Sequence, residues 1–208
     1  MTFPEGLEWR TIAGEETLAT RGEPVYGEPT DGDWRSWDRS RSKLAVLLGR
    51  DVQIDLPVNG PVLYLGAASG TTVSHVADVA GPTYAVEFAP RPMRDLVEVA
   101  EDRPNLFPLL KDARKPRTYA HVVEPVDLLV QDVAIRGQAD VALANRQFLR
   151  EDGQLVLSIK ARSEDVTWEP SAVFEQVLET LQTEYEILET ESLEPFHDDH
   201  LGVVAKPK

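Results

Sequence analysis

Between residues 62 and 159, short runs of consecutive apolar residues alternate with stretches whose apolar positions recur at helical spacing. The apolar runs are 62–65, 83–87, 106–110, 127–130 and 154–159. Each has strand length and lacks polar alternation, the pattern of a parallel strand covered on both faces. Helical stretches fall between them at 71–79, 92–101, 113–122 (interrupted by Pro116) and 138–150. A further helix is predicted over 170–183, with Val173, Phe174, Val177, Leu178 and Leu181 at helical spacing. Two strand-like segments follow, 185–193 and 201–205. Their connection is too short for a parallel crossover, so the last strand runs antiparallel. The elements predict an α/β domain built on a doubly wound, mostly parallel seven-stranded sheet with an antiparallel last strand.

Residues 1–55 read differently and predict a small β-rich amino-terminal subdomain ahead of a main domain at 56–208. From Glu5 to Glu28, short polar–apolar alternation is broken by Gly14, Gly22, Pro24 and Gly27, which suggests small antiparallel strands and turns. Asp31-Gly32-Asp33 is a turn signal. Within the segment from Trp34 to Gly49, a Ser cap leads into a short helix closed by Gly49. It is the most basic and aromatic stretch of the chain, either a surface helix with its tryptophans against the body or a rim facing nucleic acid.

In an open α/β sheet, ligands bind beyond the carboxyl ends of the parallel strands. The first strand runs into Gly66-Ala67-Ala68-Ser69-Gly70, a small-residue turn that leaves backbone N–H groups open at the start of the next helix. Its G-x-x-x-G spacing is not the G-x-G-x-x-G dinucleotide fingerprint, and no Gly-Lys-Ser/Thr of a phosphate loop follows. Such a turn suits S-adenosylmethionine, whose methionine part needs close backbone approach and which carries no pyrophosphate. The second strand ends at Glu87, placed to accept both hydroxyls of a cofactor ribose. The third ends at Lys111-Asp112-Ala113, where Asp112 can meet an adenine amino group. The fourth ends at Gln131-Asp132 and the fifth at Lys160. An antiparallel last strand starts at the same rim and delivers His200. Each acid alone is equally a helix cap or a solvated turn residue; the set points to a site. A pair formed by Asp132 and Lys160 on adjacent strands is either structural or, at a ligand rim, chemical.

Composition narrows compartment and partners. No apolar run reaches the roughly 18 residues of a membrane span, and Met1 is not followed by a signal pattern. A soluble, cytoplasmic protein without a membrane partner is expected. Zero cysteines exclude disulfides and thiolate metal sites. His75, His121, His197 and His200 are too scattered for an evident zinc site, so no metal is expected. Thirty-six acidic against 21 basic residues give a formal net charge of −15, spread along the chain as expected for a high-salt cytoplasm. There the Debye length falls to about 3 Å at 1 M salt, which mutes self-repulsion. The same charge repels a polyanion, and high salt weakens counterion release, so a nucleic-acid role requires partner proteins.

Seven segments together resemble the archaeal fibrillarins: Arg41-Ser42-Lys43-Leu44-Ala45, the run from Tyr64 to Thr72, Tyr84-Ala85-Val86-Glu87-Phe88, Asp112-Ala113-Arg114, Gln131-Asp132-Val133-Ala134, Ser158-Ile159-Lys160-Ala161 and Asp199-His200. The resemblance runs from about Val25 to the end. It implies S-adenosylmethionine-dependent 2′-O-methylation of ribose in rRNA and possible tRNA targets, with C/D box guide RNA selecting the nucleotide in the target RNA. A Nop-domain scaffold protein and a kink-turn-binding protein are implied as partners. The implied catalytic tetrad is Lys43, Asp132, Lys160 and His200. The implied cofactor-binding residues are Gly66, Ala68, Thr71, Thr72, Glu87, Phe88, Asp112, Ala113 and Asp132. Ile135 stands where family members usually carry glutamine, which puts a polar contact near cofactor or RNA in question.

Methyl transfer from a sulfonium to a ribose oxygen is an in-line displacement that asks the protein for alignment and a base. Lys160 is the expected base, with Lys43 opposing a second positive charge there and holding the developing oxyanion. Asp132 orients the lysines, and His200 fixes the ribose or a phosphate. Competing readings are an NAD-dependent oxidoreductase on a Rossmann fold, a methyltransferase of another substrate class and a non-catalytic scaffold. Glycine spacing and the terminal hairpin count against the first, and the intact tetrad counts against the last.

Overall fold

The computed structural model describes residues 3–50 and 52–208. Four strands come first: β1 (Leu7–Ile12), β2 (Glu15–Arg21), β3 (Thr30–Asp31) and β4 (Trp34–Trp37). They form an antiparallel sheet in the order β1-β2-β4-β3. The β1–β2 hairpin turns through Ala13 and Gly14, both at positive φ (54° and 87°), the two-residue geometry that matches strand twist.

The short Ser-capped helix expected within 34–49 is present and begins at Lys43, with Gly49 at its end. Trp34–Trp37 is a strand, paired in register from Leu18↔Trp37 to Arg21↔Trp34, because aromatic side chains fit a half-buried pleated surface. Trp34, Arg35 and Trp37 are buried, which favours the first of the two readings of this stretch, tryptophans packed against the body. Helix α1 (Lys43–Leu48) is capped by Ser42, whose Oγ accepts from the Ala45 N–H at 3.2 Å. Leu44 to Leu48 are all buried, which fixes Lys43 at the edge of the core.

The main sheet contains β5 (Val62–Leu65), β6 (Thr83–Glu87), β7 (Leu106–Leu110), β8 (Val126–Gln131), β9 (Leu149–Lys160), β10 (Tyr185–Ser192) and β11 (His200–Pro207). The helices are α2 (Thr71–Val79), α3 (Pro90–Glu101), α4 (Gln138–Asn145), α5 (Ala161–Glu164) and α6 (Pro170–Leu181). The strand order is β10-β11-β9-β8-β5-β6-β7. Neighbours from β9 to β7 are parallel, and β11 is antiparallel to both β9 and β10. The chain winds outward through β5, β6 and β7, then returns to β8 on the other side of β5, which makes the β5/β8 boundary the topological switch point.

Alternate residues of β5 enter opposite cores, as a period of two requires. Val62 and Tyr64 join Leu7, Leu18, Trp37 and the leucines of α1. Leu63 and Leu65 join Tyr119, Phe148 and residues of α4 and α6. The amino-terminal sheet thus shares a core with one face of the main sheet. Two predicted helices are shorter than expected. Around Pro116 only a 3-10 turn, Pro116–Thr118, forms, since proline lacks an N–H and restricts the residue before it. Helix α4 stops at Asn145, whose amide turns inward to the carbonyls of Ala113 and Val141, both at 2.8 Å. Among the described residues, no helix is long and apolar enough to cross a membrane.

Candidate active site

A cavity of about 310 Å³ lies beyond the carboxyl ends of the parallel strands, at the switch point. Gly66, Ala68, Glu87, Phe88, Asp112, Ala113, Asp132 and Lys160 line it, as do Val86, Lys111, Arg114, Val133, Ala134 and Ile135. Gly66 sits at φ 84°, and a Cβ there would stand 2.5 Å from the Asp132 carbonyl oxygen. Only glycine lets the end of β5 pass so close to the end of β8. Ala68 and Gly70 also have positive φ, 48° and 98°, which curls the turn away from the sheet before α2. Thr71 and Thr72 open α2 and are not among the cavity's lining residues.

Backbone groups fix Glu87: its Oε2 accepts from Ala68 N at 2.9 Å and its Oε1 from Ala89 N at 2.6 Å. Asp112 is gripped by Arg114, through Nε to Oδ1 and Nη2 to Oδ2, each 2.9 Å. Those bonds hold the Asp112 carboxyl below the usual carboxylate range. The same guanidinium lies 5.9 Å from the ring centroid of Phe88, which is largely exposed. Phe88 and Arg114 therefore flank the outer end of the cavity.

At the inner end, Asp132 stands between two lysines. Lys160 Nζ is 2.9 Å from Asp132 Oδ1 and donates to the Asp132 backbone oxygen at 3.2 Å. Lys43 Nζ is 3.3 Å from Oδ2. Burial pushes the Asp132 carboxyl up, but the charges and hydrogen bonds of Lys160 and Lys43 outweigh it and hold the group below its ordinary value. His200 is the direct cross-strand partner of Lys160. Its Nδ1–H donates to the Asp198 carbonyl at 2.6 Å, which leaves Nε2 as an acceptor in the neutral ring. Burial lowers its pKa, and Lys43 and Lys160 reinforce that. The four residues expected to form a tetrad thus converge on one rim, from α1, β8, β9 and β11.

Lys111, at the end of the third strand, lines the cavity as its position suggests, whereas the lining role of Arg114 and the supporting role of Gln138 are not evident from strand-end positions alone. Gln138 Oε1 accepts from Lys160 N at 2.9 Å and its Nε2 donates to Lys160 O at 3.1 Å. Gln131 and Glu164 in turn hold Gln138, at 2.7 Å and 2.6 Å. A fully buried glutamine opening an otherwise apolar helix face is a signal that sequence can offer, since a buried amide must find partners. Ile135 packs against the adjoining core and gives the cavity an apolar wall.

A switch point roofed by a small-residue turn, acids past successive strands, and an antiparallel terminal hairpin define the class I methyltransferases. The fibrillarin family model matches residues 10–208. A fibrillarin-like rRNA/tRNA 2′-O-methyltransferase of Haloarcula marismortui is 64% identical, covering 100% of this chain and 99% of the relative. Aeropyrum pernix fibrillarin, solved with natively bound S-adenosyl-L-methionine, superposes with a TM-score of 0.87 at 42% identity, covering 99% of this chain and 96% of that one. A fibrillarin/Nop5p complex contains a chain with a TM-score of 0.92 at 38% identity, covering 100% of both. The chain belongs to the fibrillarin family.

Proposed function

We propose that this protein is the S-adenosylmethionine-dependent 2′-O-methyltransferase of a C/D box ribonucleoprotein, acting on ribose in rRNA and tRNA. The observation that carries the reading is the convergence of Lys43, Asp132, Lys160 and His200 on one rim, where Asp132 and Lys160 line the cavity, Lys43 pairs with Asp132 and His200 lies opposite Lys160. Guide RNA selects the nucleotide, while a Nop-domain protein and a kink-turn-binding protein assemble the particle in the cytoplasm. Residues 1–55 form the smaller unit and 56–208 the methyltransferase unit.

The residues present fit the cofactor. The volume lies within the roughly 300–1,000 Å³ of small-ligand sites, and the carboxylates of Glu87 and Asp112 line it beside the apolar Val86, Val133 and Ile135. Bound there, S-adenosylmethionine supplies an electrophilic methyl group on a sulfonium. Glu87, oriented by two backbone N–H groups, keeps lone pairs for the ribose hydroxyls, and Asp112 accepts from the adenine amino group. Gly66, Ala68, Thr71 and Thr72 shape the turn at the methionine end, while Phe88 and Ala113 border the base.

Asp132 stays ionised between its lysines. With both lysines charged the trio carries +1; with Lys160 deprotonated it is neutral, and the Nζ lone pair takes the 2′-hydroxyl proton. That transfer leaves +1 on the trio beside −1 on the oxygen. Lys43 stabilises the oxyanion. His200, neutral, orients the acceptor ribose through Nε2.

The test is methylation of a guide-matched RNA by the reconstituted particle. Lys160→Ala is expected to lower kcat by about 10²–10⁴-fold, the usual contribution of a general base, with S-adenosylhomocysteine still raising the thermal midpoint. Full methylation by Lys160→Ala would sink the assignment of the base. Stabilisation of the wild-type protein by NAD, but not by S-adenosylhomocysteine, would overturn the methyltransferase reading itself.

A further inference from the structure

Tyr26 touches two parts of the site that lie on opposite sides of the reaction. It belongs to the irregular segment 22–29 between β2 and β3, outside both sheets. Its hydroxyl donates to the Ser69 carbonyl, in the turn between β5 and α2. Its ring lies under the guanidinium of Arg41, 5.6 Å from the centroid, and Arg41 stands just ahead of the Ser42 cap and Lys43. The segment is tied down from within. Glu28 Oε2 accepts from Val25 N at 2.7 Å and from Tyr26 N at 2.8 Å. Glu28 Oε1 is 3.4 Å from Nη1 of Arg35, whose side chain has no exposed surface. Arg35 also donates to Ser74 Oγ at 3.0 Å, and that hydroxyl donates to the Thr71 carbonyl at 3.1 Å. The carbonyls of Ser69 and Thr71, on either side of Gly70, are therefore held by Tyr26 of the irregular segment and, through Ser74, by Arg35 of β4. Because peptide units are planar, these anchors set the planes of the backbone amides at the start of α2.

We infer that Tyr26 is a positioning residue that couples the methyl-donor turn to the segment carrying Lys43. The inference rests on the proposed function. Its hydroxyl fixes the donor turn and its ring steadies Arg41, so cofactor affinity and the placement of the acceptor-side lysine are set by one side chain. The two roles separate chemically: Tyr26→Phe removes only the hydroxyl, and Tyr26→Leu removes the hydroxyl and the aromatic face.

Wild type and both variants are compared as full chains for S-adenosylhomocysteine binding, and in the assembled guide particle for kcat and for KM of S-adenosylmethionine. Tyr26→Phe is expected to raise the Kd and KM about 3–10-fold, the effect of one hydrogen bond, with kcat within about twofold of wild type. Tyr26→Leu is expected to show the same affinity loss and, at saturating cofactor, a kcat lower by about fivefold or more, since small misplacements of a reacting group are costly. Tyr26 is exposed, so the ligand-free thermal midpoint should stay within about 2 °C in both variants. Equal Kd for wild type and Tyr26→Phe overturns the hydroxyl's role, and equal kcat for the two variants overturns the coupling. If wild type itself fails to bind S-adenosylhomocysteine, the proposed function fails first. If wild type binds and Tyr26→Phe binds equally, this inference alone fails.

Discussion

Replacing Gly66 by alanine separates two costs that are usually entangled. Gly66 and Gly70 lie in the same turn, both with left-handed φ, 84° and 98°. Alanine at either position incurs about 1–2 kcal/mol for that conformation. What the new methyl group meets differs. At Gly66 it stands 2.5 Å from the Asp132 carbonyl oxygen, a backbone atom at the end of β8. At Gly70 it meets side-chain methyls of Leu96 and Val99 at 3.2 to 3.3 Å, which can move by tenths of an ångström. Overpacking against backbone adds about 1–3 kcal/mol, so Gly66→Ala should cost about 2–5 kcal/mol and Gly70→Ala nearer the conformational cost alone. At about 2–4 °C per kcal/mol for a chain of this size, the Gly66 variant should melt about 2–12 °C below the Gly70 variant. The displaced carbonyl also accepts from Lys160 Nζ, so Gly66→Ala should lose methylation even where it remains folded. Thermal unfolding in fixed molar KCl, paired with single-turnover methylation, reads both quantities. Equal melting points for the two variants would refute the steric argument, and wild-type turnover by Gly66→Ala would refute the link from the turn to Lys160.

Two further predictions concern the buried polar interface behind that turn. Asp78 Oδ2 accepts from Arg35 Nε at 2.8 Å and from Thr20 Oγ1 at 2.7 Å, and its Oδ1 accepts from Arg103 Nε at 3.2 Å. Asp78→Asn removes the carboxylate shared by two buried guanidiniums, leaving Arg35 with Glu28 at 3.4 Å, and should cost about 3–5 kcal/mol in urea unfolding; a loss below about 1 kcal/mol would contradict it. His75 is stacked on Trp37, with ring centroids 4.8 Å apart, and its Nδ1 is 2.7 Å from Thr20 Oγ1. Burial, and then the nearby arginines, hold its imidazole well below the usual value. Between that lowered value and about 6.5, the unfolded chain binds a proton that the folded chain does not. The contribution of His75 is therefore complete above about pH 6.5 and declines as pH falls below it, by up to about 1.4 kcal/mol per pH unit. The stability gap between wild type and His75→Asn should narrow from pH 7.5 to 5.5; parallel curves would exclude this titration.

Much of the main sheet was legible because its signals are local. The strands at 62–65, 83–87 and 106–110 fall where their apolar runs lie, and the short connection after β10 dictated the antiparallel last strand. Strand order then brought Asp132 and Lys160 to neighbouring strand ends. What escaped depends on distant partners. Trp34–Trp37 is a strand because β2 lies beside it, and nothing within the segment announces that neighbour. Helix α4 ends where Asn145 reaches back to the loop after β7. Arg114 folding onto Asp112 depends on a turn conformation that spacing does not encode. Lys43 was assigned through family resemblance alone, since no periodicity links α1 to the end of β8.

The pairing of His200 with Lys160 restricts how the chain can evolve. Side chains alternate across a strand, so one residue gained or lost within β11 before a compensating bulge would turn His200 to the other face of the sheet. A change of length in the connection from 193 to 199 leaves the parity of β11 intact only where the Ser192–Leu201 pairing that closes the hairpin is kept. Lineages can lengthen or trim that connection while the acceptor side of the reaction survives, whereas β11 must keep its count.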